Sequence, residues 1–123
     1  MKSPYTSYPD VQNQQEYVLI IVTVPEKDAD TMREIMAKSG AGIFGNYRFC
    51  SFSTKGIGRF IPNKQAHPYI GNAEVLEQVV EEKIETICSQ DRVESVVHAI
   101  KEAHPYEQTI IEIYPLPRLG YKY

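Results

Sequence analysis

At 123 residues, 42% of them apolar and 24% charged, the chain has the size and composition of one globular domain that can bury a core without a metal or disulfide staple. A net charge of −3, with acidic and basic residues dispersed along the chain, argues against nucleic acid as a partner. The longest apolar run, Tyr17 to Val24, ends at Pro25, far short of the ~20 residues that a membrane-crossing helix needs.

The polar N-terminus lacks the apolar centre of a secretory signal. Cys50 and Cys88, with no second Cys or His close in sequence, read as reduced thiols rather than a disulfide frame or a zinc site. Together these features predict a cytoplasmic location.

Residues 1–16 are rich in Ser, Gln, Pro and Asn without apolar periodicity, and read as a loosely ordered arm. The folded unit is expected over 17–116, followed by a short tail at 117–123. Tyr17–Val24 is a β-branched run of the kind found in a central strand. Pro25 suits the entry to a helix, with Asp28 or Asp30 as N-cap. Ala29, Met32, Ile35 and Met36 give that helix, expected over Glu26–Ser39, one apolar face, and Gly40 and Gly42 end it.

Tyr47–Ser53 alternates as a strand. Thr54–Gly58 then reads as a turn in which Gly56 or Gly58 takes a positive φ, with Arg59–Ile61 as the return arm of a hairpin. Pro62–Gly71 is loop. Val79–Cys88 reads as a further strand from its β-branched content, although Glu74–Lys83 also fits a helix. Asp91–Ala103 carries an apolar stripe of Val93, Val96, Val97, Ala99, Ile100 and Ala103, and His104-Pro105 stops it. Thr109–Tyr114 is the last strand. The order predicts an α+β, ferredoxin-like split βαβ domain: an antiparallel sheet with both helices on one face. The opposite face then has no helix to cover it, and self-association is the simplest way to bury it.

His104 and Glu107, in His104-Pro-Tyr-Glu107, could form a polar pair facing a cleft, and imidazole with carboxylate could hold a metal. Equally, His104 could be a helix C-terminal residue favoured by the dipole. Cys50 could join His104 in space or be a buried structural thiol. His67-Pro-Tyr69 repeats the His-Pro-Tyr pattern inside the long loop, where turn formation also accounts for it, and His98 reads as solvated. The glycine-rich Gly40–Gly45 follows a helix instead of opening one, so it is a cap before it is an anion site. No acid–base constellation assembles, which predicts a protein that is not an enzyme.

Gly45–Thr54, Phe60, His67-Pro-Tyr-Ile-Gly71 and His104-Pro-Tyr-Glu107 running to Ile113-Tyr-Pro-Leu116 resemble the PII-like insert domain of the NIF-three-like family, here as a stand-alone domain. The His-Pro-Tyr-Glu segment is more distantly similar to the CutA proteins, PII-like trimers linked to divalent cations. His67, where the inserts commonly carry Asn, and Gln108-Thr109, where they commonly carry Glu-Pro, depart from the pattern. The dinuclear metal site of the NIF-three-like body lies outside this domain, so hydrolase or cyclohydrolase activity is not expected to transfer.

The resemblance implies a non-catalytic homotrimeric binding or regulatory module for a small molecule or protein partner. In that assembly His104, Tyr106, Glu107, His67 and Tyr69 would line an intersubunit cleft. The alternative is a CutA-type protein that binds a divalent metal ion through His104, Glu107 and Cys50.

Overall fold

The computed structural model describes residues 11–12, 16–120 and 122. Four strands form the main sheet: β2 (Tyr17–Pro25), β3 (Phe52–Phe60), β4 (Glu77–Ser89) and β5 (Glu112–Leu116). Their spatial order is β3-β4-β2-β5, with every neighbouring pair antiparallel. Helix α1 (Ala29–Lys38) follows β2 and α2 (Val93–Ala103) follows β4, which gives the expected split βαβ arrangement. A two-residue strand β1 (Val11–Gln12) pairs with β6 (Leu119–Gly120), joining part of the expected arm to the expected tail; most of the arm lies outside the described residues. Among the described residues no helix is long and apolar enough to cross a membrane.

Strand alternation decides the core. Val18, Ile20, Val22 and Val24 of β2 point to the helices, beside Ile84 and Cys88 of β4. Ala29, Met32 and Met36 of α1 and Val93, Val96 and Ile100 of α2 close over them. Full burial of each large aliphatic side chain contributes roughly 1.5–3 kcal/mol. The same burial pushes the Cys88 thiol above its ordinary pKa. Iodoacetamide at pH 8 should therefore leave Cys88 unlabelled in the native protein and label it in urea, as read by peptide mass spectrometry; native labelling would show that this part of the core opens readily.

Both helices start later than their sequence patterns suggest, because a single 3-10 turn precedes each, at Glu26–Asp28 and Gln90–Arg92. Asp28 occupies the N-cap position of α1 but makes no side-chain cap bond, and Asp30 pairs with Arg33 instead.

The expected hairpin is not there. Residues 52–60 form one continuous edge strand, and neither Gly56 nor Gly58 takes a positive φ. The segment before it is a tight turn, in which Phe44 and Tyr47 exchange backbone hydrogen bonds of 2.8 and 2.9 Å. β4 reaches 13 residues because it serves two partners in staggered register, pairing with β3 over 77–85 and with β2 over 81–89. Its pairing on both edges excludes the helical reading of Glu74–Lys83.

The face away from the helices carries a row of Tyr114, Leu19 and Ile87 across β5, β2 and β4, with Phe52 beside it. Phe52 is 69% exposed and Tyr114 47%.

Candidate functional site

The first element of the site is the turn that leaves α2. His104 is the C-cap residue and is extended, as its position before Pro105 requires. Its ring is buried between the helix end and β2. The Tyr106 amide donates to His104 Nδ1 at 3.1 Å, so Nδ1 is bare and the proton sits on Nε2, which donates to the Thr23 carbonyl at 2.8 Å. Thr109 Oγ1 lies 3.4 Å from the same Nε2. With both nitrogens engaged, the imidazole works as a fastener of the 104–109 turn against β2.

That fastening projects Tyr106 toward the sheet. Its hydroxyl donates to Glu81 Oε2 at 2.7 Å, and its ring meets Phe60 and Tyr69 at centroid distances of 6.0 and 6.3 Å, tilted by about 60° in each case. Glu107 Oε1 accepts the His67 amide at 2.9 Å and so joins the two His-Pro-Tyr segments. Tyr69 completes the wall, with Lys27 Nζ 4.7 Å from its ring centroid and its hydroxyl 3.4 Å from Asp28 Oδ2.

Between these segments and the edge of the open sheet face lies a cleft of about 400 Å³. Its floor includes Thr23, Gly58, Phe60 and Glu81, and its rim Pro68, Tyr69, Tyr106 and Ile110. Burial, then the bond to Glu81 and that residue's negative charge, pushes the Tyr106 phenol well above the ordinary tyrosine range. A phenol pKa raised on folding stabilises the native state fully below the unfolded value, and that stability is lost as pH rises through the folded value. Urea midpoints should accordingly fall above pH about 10, and Tyr106→Phe should flatten that part of the profile; an unchanged profile would place the alkaline sensitivity elsewhere.

Of the residues expected at a site, Tyr69, Tyr106 and Glu107 line this cleft, whereas His104 and His67 are not among its lining residues and reach it only through bonds to Tyr106 and Glu107. Cys50 does not join them. It lies at a separate depression with Ala41, Ser51 and Thr86. The trio considered for a metal therefore does not meet, and among the described residues no three His, Cys, Asp or Glu side chains are placed to share an ion. His98 is exposed on α2.

Sequence reasoning passed over Glu81, Gly58 and Phe60. A β-carbon on residue 58 would overlap Glu81 Oε1, so the glycine makes room for a carboxylate where a turn was expected. The available signal was the pair Glu81-Glu82 inside a β-branched run, which alternation sends to opposite faces of the sheet.

No family model matches the chain. It is 42% identical over 101 residues to the GTP cyclohydrolase 1 type 2 homolog of Halalkalibacterium halodurans, covering 82% of this chain and 27% of that protein. The Listeria innocua protein of the same name is 42% identical over 109 residues, covering 88% and 29%. The chain thus spans less than a third of the length of these curated relatives. Among solved structures, a Bacillus cereus protein related to NIF3 superposes with a TM-score of 0.70 at 37% identity, over 82% of this chain and 26% of that one. CutA from Synechococcus elongatus superposes with a TM-score of 0.64 at 11% identity, over 91% and 87%. GlnK of B. subtilis, solved with ATP, gives 0.56 at 12% identity, over 85% and 84%. The last two similarities speak to fold alone. The chain is a PII-like domain homologous to part of the NIF3-related GTP cyclohydrolase 1 type 2 homologs.

Proposed function

We propose that the chain is a non-catalytic, self-associating PII-like module of the cytoplasm, and that the cleft walled by Tyr69 and Tyr106 takes a small ligand. The observation that carries this reading is the cleft itself: a concave site between a sheet edge and two loops that Glu107 ties together. The open sheet face, with Phe52 and Tyr114 exposed beside Leu19 and Ile87, supports self-association, with a trimer as the assembly expected. His104, Tyr106 and Glu107 serve this site by shaping it, and residues 17–116 are the unit that carries it.

Three measurements test the reading. Light scattering at micromolar concentration should give three times the 14.1 kDa chain mass, and a soluble, folded monomer would overturn self-association. GTP incubated with the protein should be recovered unchanged; conversion that follows the protein through purification would overturn the non-catalytic reading. A thermal-shift screen of small metabolites should find compounds that raise Tm, since a ligand preferring the native state stabilises it. Stabilisation that persists when Tyr69 and Tyr106 are both replaced by alanine would move the site elsewhere.

A further inference from the structure

β4 carries two adjacent glutamates, each only 9% exposed, and the fold treats them differently. Glu82 points to the helix side, where Arg33 Nη1 meets its Oε1 at 2.6 Å. Glu81 points to the open side, where its Oε2 receives the Tyr106 hydroxyl. Its Oε1 has no hydrogen-bond or ion-pair partner among the described residues, and it lies over Gly58 at the floor of the cleft. The carboxylate is held without a counter-charge, and because no buried side-chain oxygen or nitrogen among the described residues lacks a partner, Oε1 is the oxygen open to the cleft.

The lining is predominantly acidic. Glu81, Glu107 and Glu112 line the cleft against the single basic residue Arg59, which alternates with Gly58 and Phe60 and so leaves the strand on the other side. Beside the carboxylate, Phe60 and Tyr69 each meet the Tyr106 ring at a tilt, and the three rings form a corner. Ring faces attract cations, and the Lys27 ammonium already uses one side of Tyr69 in this way. An acidic lining of this kind disfavours phosphate and carboxylate ligands.

From the unpaired Glu81 oxygen and the three-ring corner we infer that the cleft binds a small organic cation with an N–H donor, a primary alkylammonium. The ammonium donates to Glu81 Oε1, while the alkyl chain lies against Phe60, Tyr69 and Tyr106. Gly58 leaves the space that Glu81 Oε1 occupies, and a side chain there would have to shift the carboxylate.

This inference rests on the ligand-binding reading of the cleft and sharpens its chemistry. The test is an NMR titration of the full chain with n-butylammonium, tetramethylammonium, n-butanol and n-butanoate, following the Gly58 and Tyr106 amides. Saturable shifts are expected with n-butylammonium, weaker ones with tetramethylammonium, which has no donor, and none with n-butanoate. Glu81→Gln keeps an acceptor for Tyr106 and should weaken n-butylammonium binding at least tenfold; Gly58→Ala should do the same by moving the carboxylate. The amide spectrum of each variant reports its fold in the same experiment. Shifts from n-butanol or n-butanoate as large as those from n-butylammonium would keep the cleft as a binding site and overturn the cation. Silence from all four probes, or binding that Glu81→Gln leaves intact, would also overturn it, while a thermal-shift ligand that depends on Tyr69 and Tyr106 would leave the wider reading standing.

Discussion

Replacing Gly42 by alanine should lower the unfolding free energy by about 2–4 kcal/mol, the sum of a positive-φ penalty and overpacking. Gly42 has φ +75°, and a β-carbon there would land on the Cys50 backbone. The position cannot relax easily, because it is bonded on both sides. Its amide donates to the Ile87 carbonyl at 2.7 Å, and its carbonyl accepts from the Cys50 amide at 2.9 Å. Thr86 Oγ1 donates to the Cys50 carbonyl at 2.7 Å and holds the far side of the same loop. Gly56→Ala is the control: nothing lies within 4 Å of a β-carbon there and φ is not positive, so its stability should match the parent or slightly exceed it. Urea unfolding of the two variants checks the contrast. Equal losses would mean that the positive φ and the close backbone approach at Gly42 carry no penalty of their own.

That contrast also explains where sequence reasoning succeeded and where it stopped. The run Tyr17–Val24 and the stripe Val93–Ile100 bury what their periodicity says, because β2 and α2 each face one continuous core. Gly40 ends α1 with a positive φ of 123°, as a glycine after a helical stripe should. Gly56 and Gly58 misled because glycine has two uses. It accepts unusual dihedrals, and it vacates space; only the first is visible without the neighbouring strand. The space at Gly58 is filled by Glu81 of β4, which pairs with Gly56 and leans diagonally over Gly58, an approach that no local pattern encodes. The last strand begins at Glu112 and not at Thr109, because Thr109 is held by the His104 ring as part of the turn.

The candidate site was legible in its loops and hidden in its sheet. Pro and aromatic residues in His67-Pro-Tyr69 and His104-Pro-Tyr106 mark both segments, and the Glu107 bond to His67 brings them together. The carboxylate they enclose comes from a strand whose acidic pair resembles ordinary surface charge until the register places each member. His104 carries a similar lesson: a histidine before proline is compatible with a ligand role and with a fastener, and only the Thr23 carbonyl and the Tyr106 amide at its two nitrogens show the fastening contacts.

The two glutamates of β4 should also separate sharply when mutated. Arg33→Ala strands Glu82 in the core side of the sheet, next to Ser53 Oγ, which Arg33 Nη1 also reaches at 2.9 Å. Breaking a fully buried ion pair from one side costs about 3–5 kcal/mol. The Arg33 side chain is 27% exposed and that of Glu82 12%, so solvent screening brings the expected loss to about 2–3 kcal/mol. Glu82→Gln should cost a similar amount, since it leaves the guanidinium with Ser53 Oγ and with Asp30, on the surface, as its ionic partner. Glu81→Gln removes a charge that has no cationic partner and keeps an oxygen for the Tyr106 hydroxyl, so its stability should stay within about 1 kcal/mol of the parent. Urea unfolding at pH 7 and low salt reads all three. A Glu81→Gln loss as large as that of Arg33→Ala would mean that Glu81 holds the fold together through a contact of its own, and its carboxylate would then be explained without any ligand.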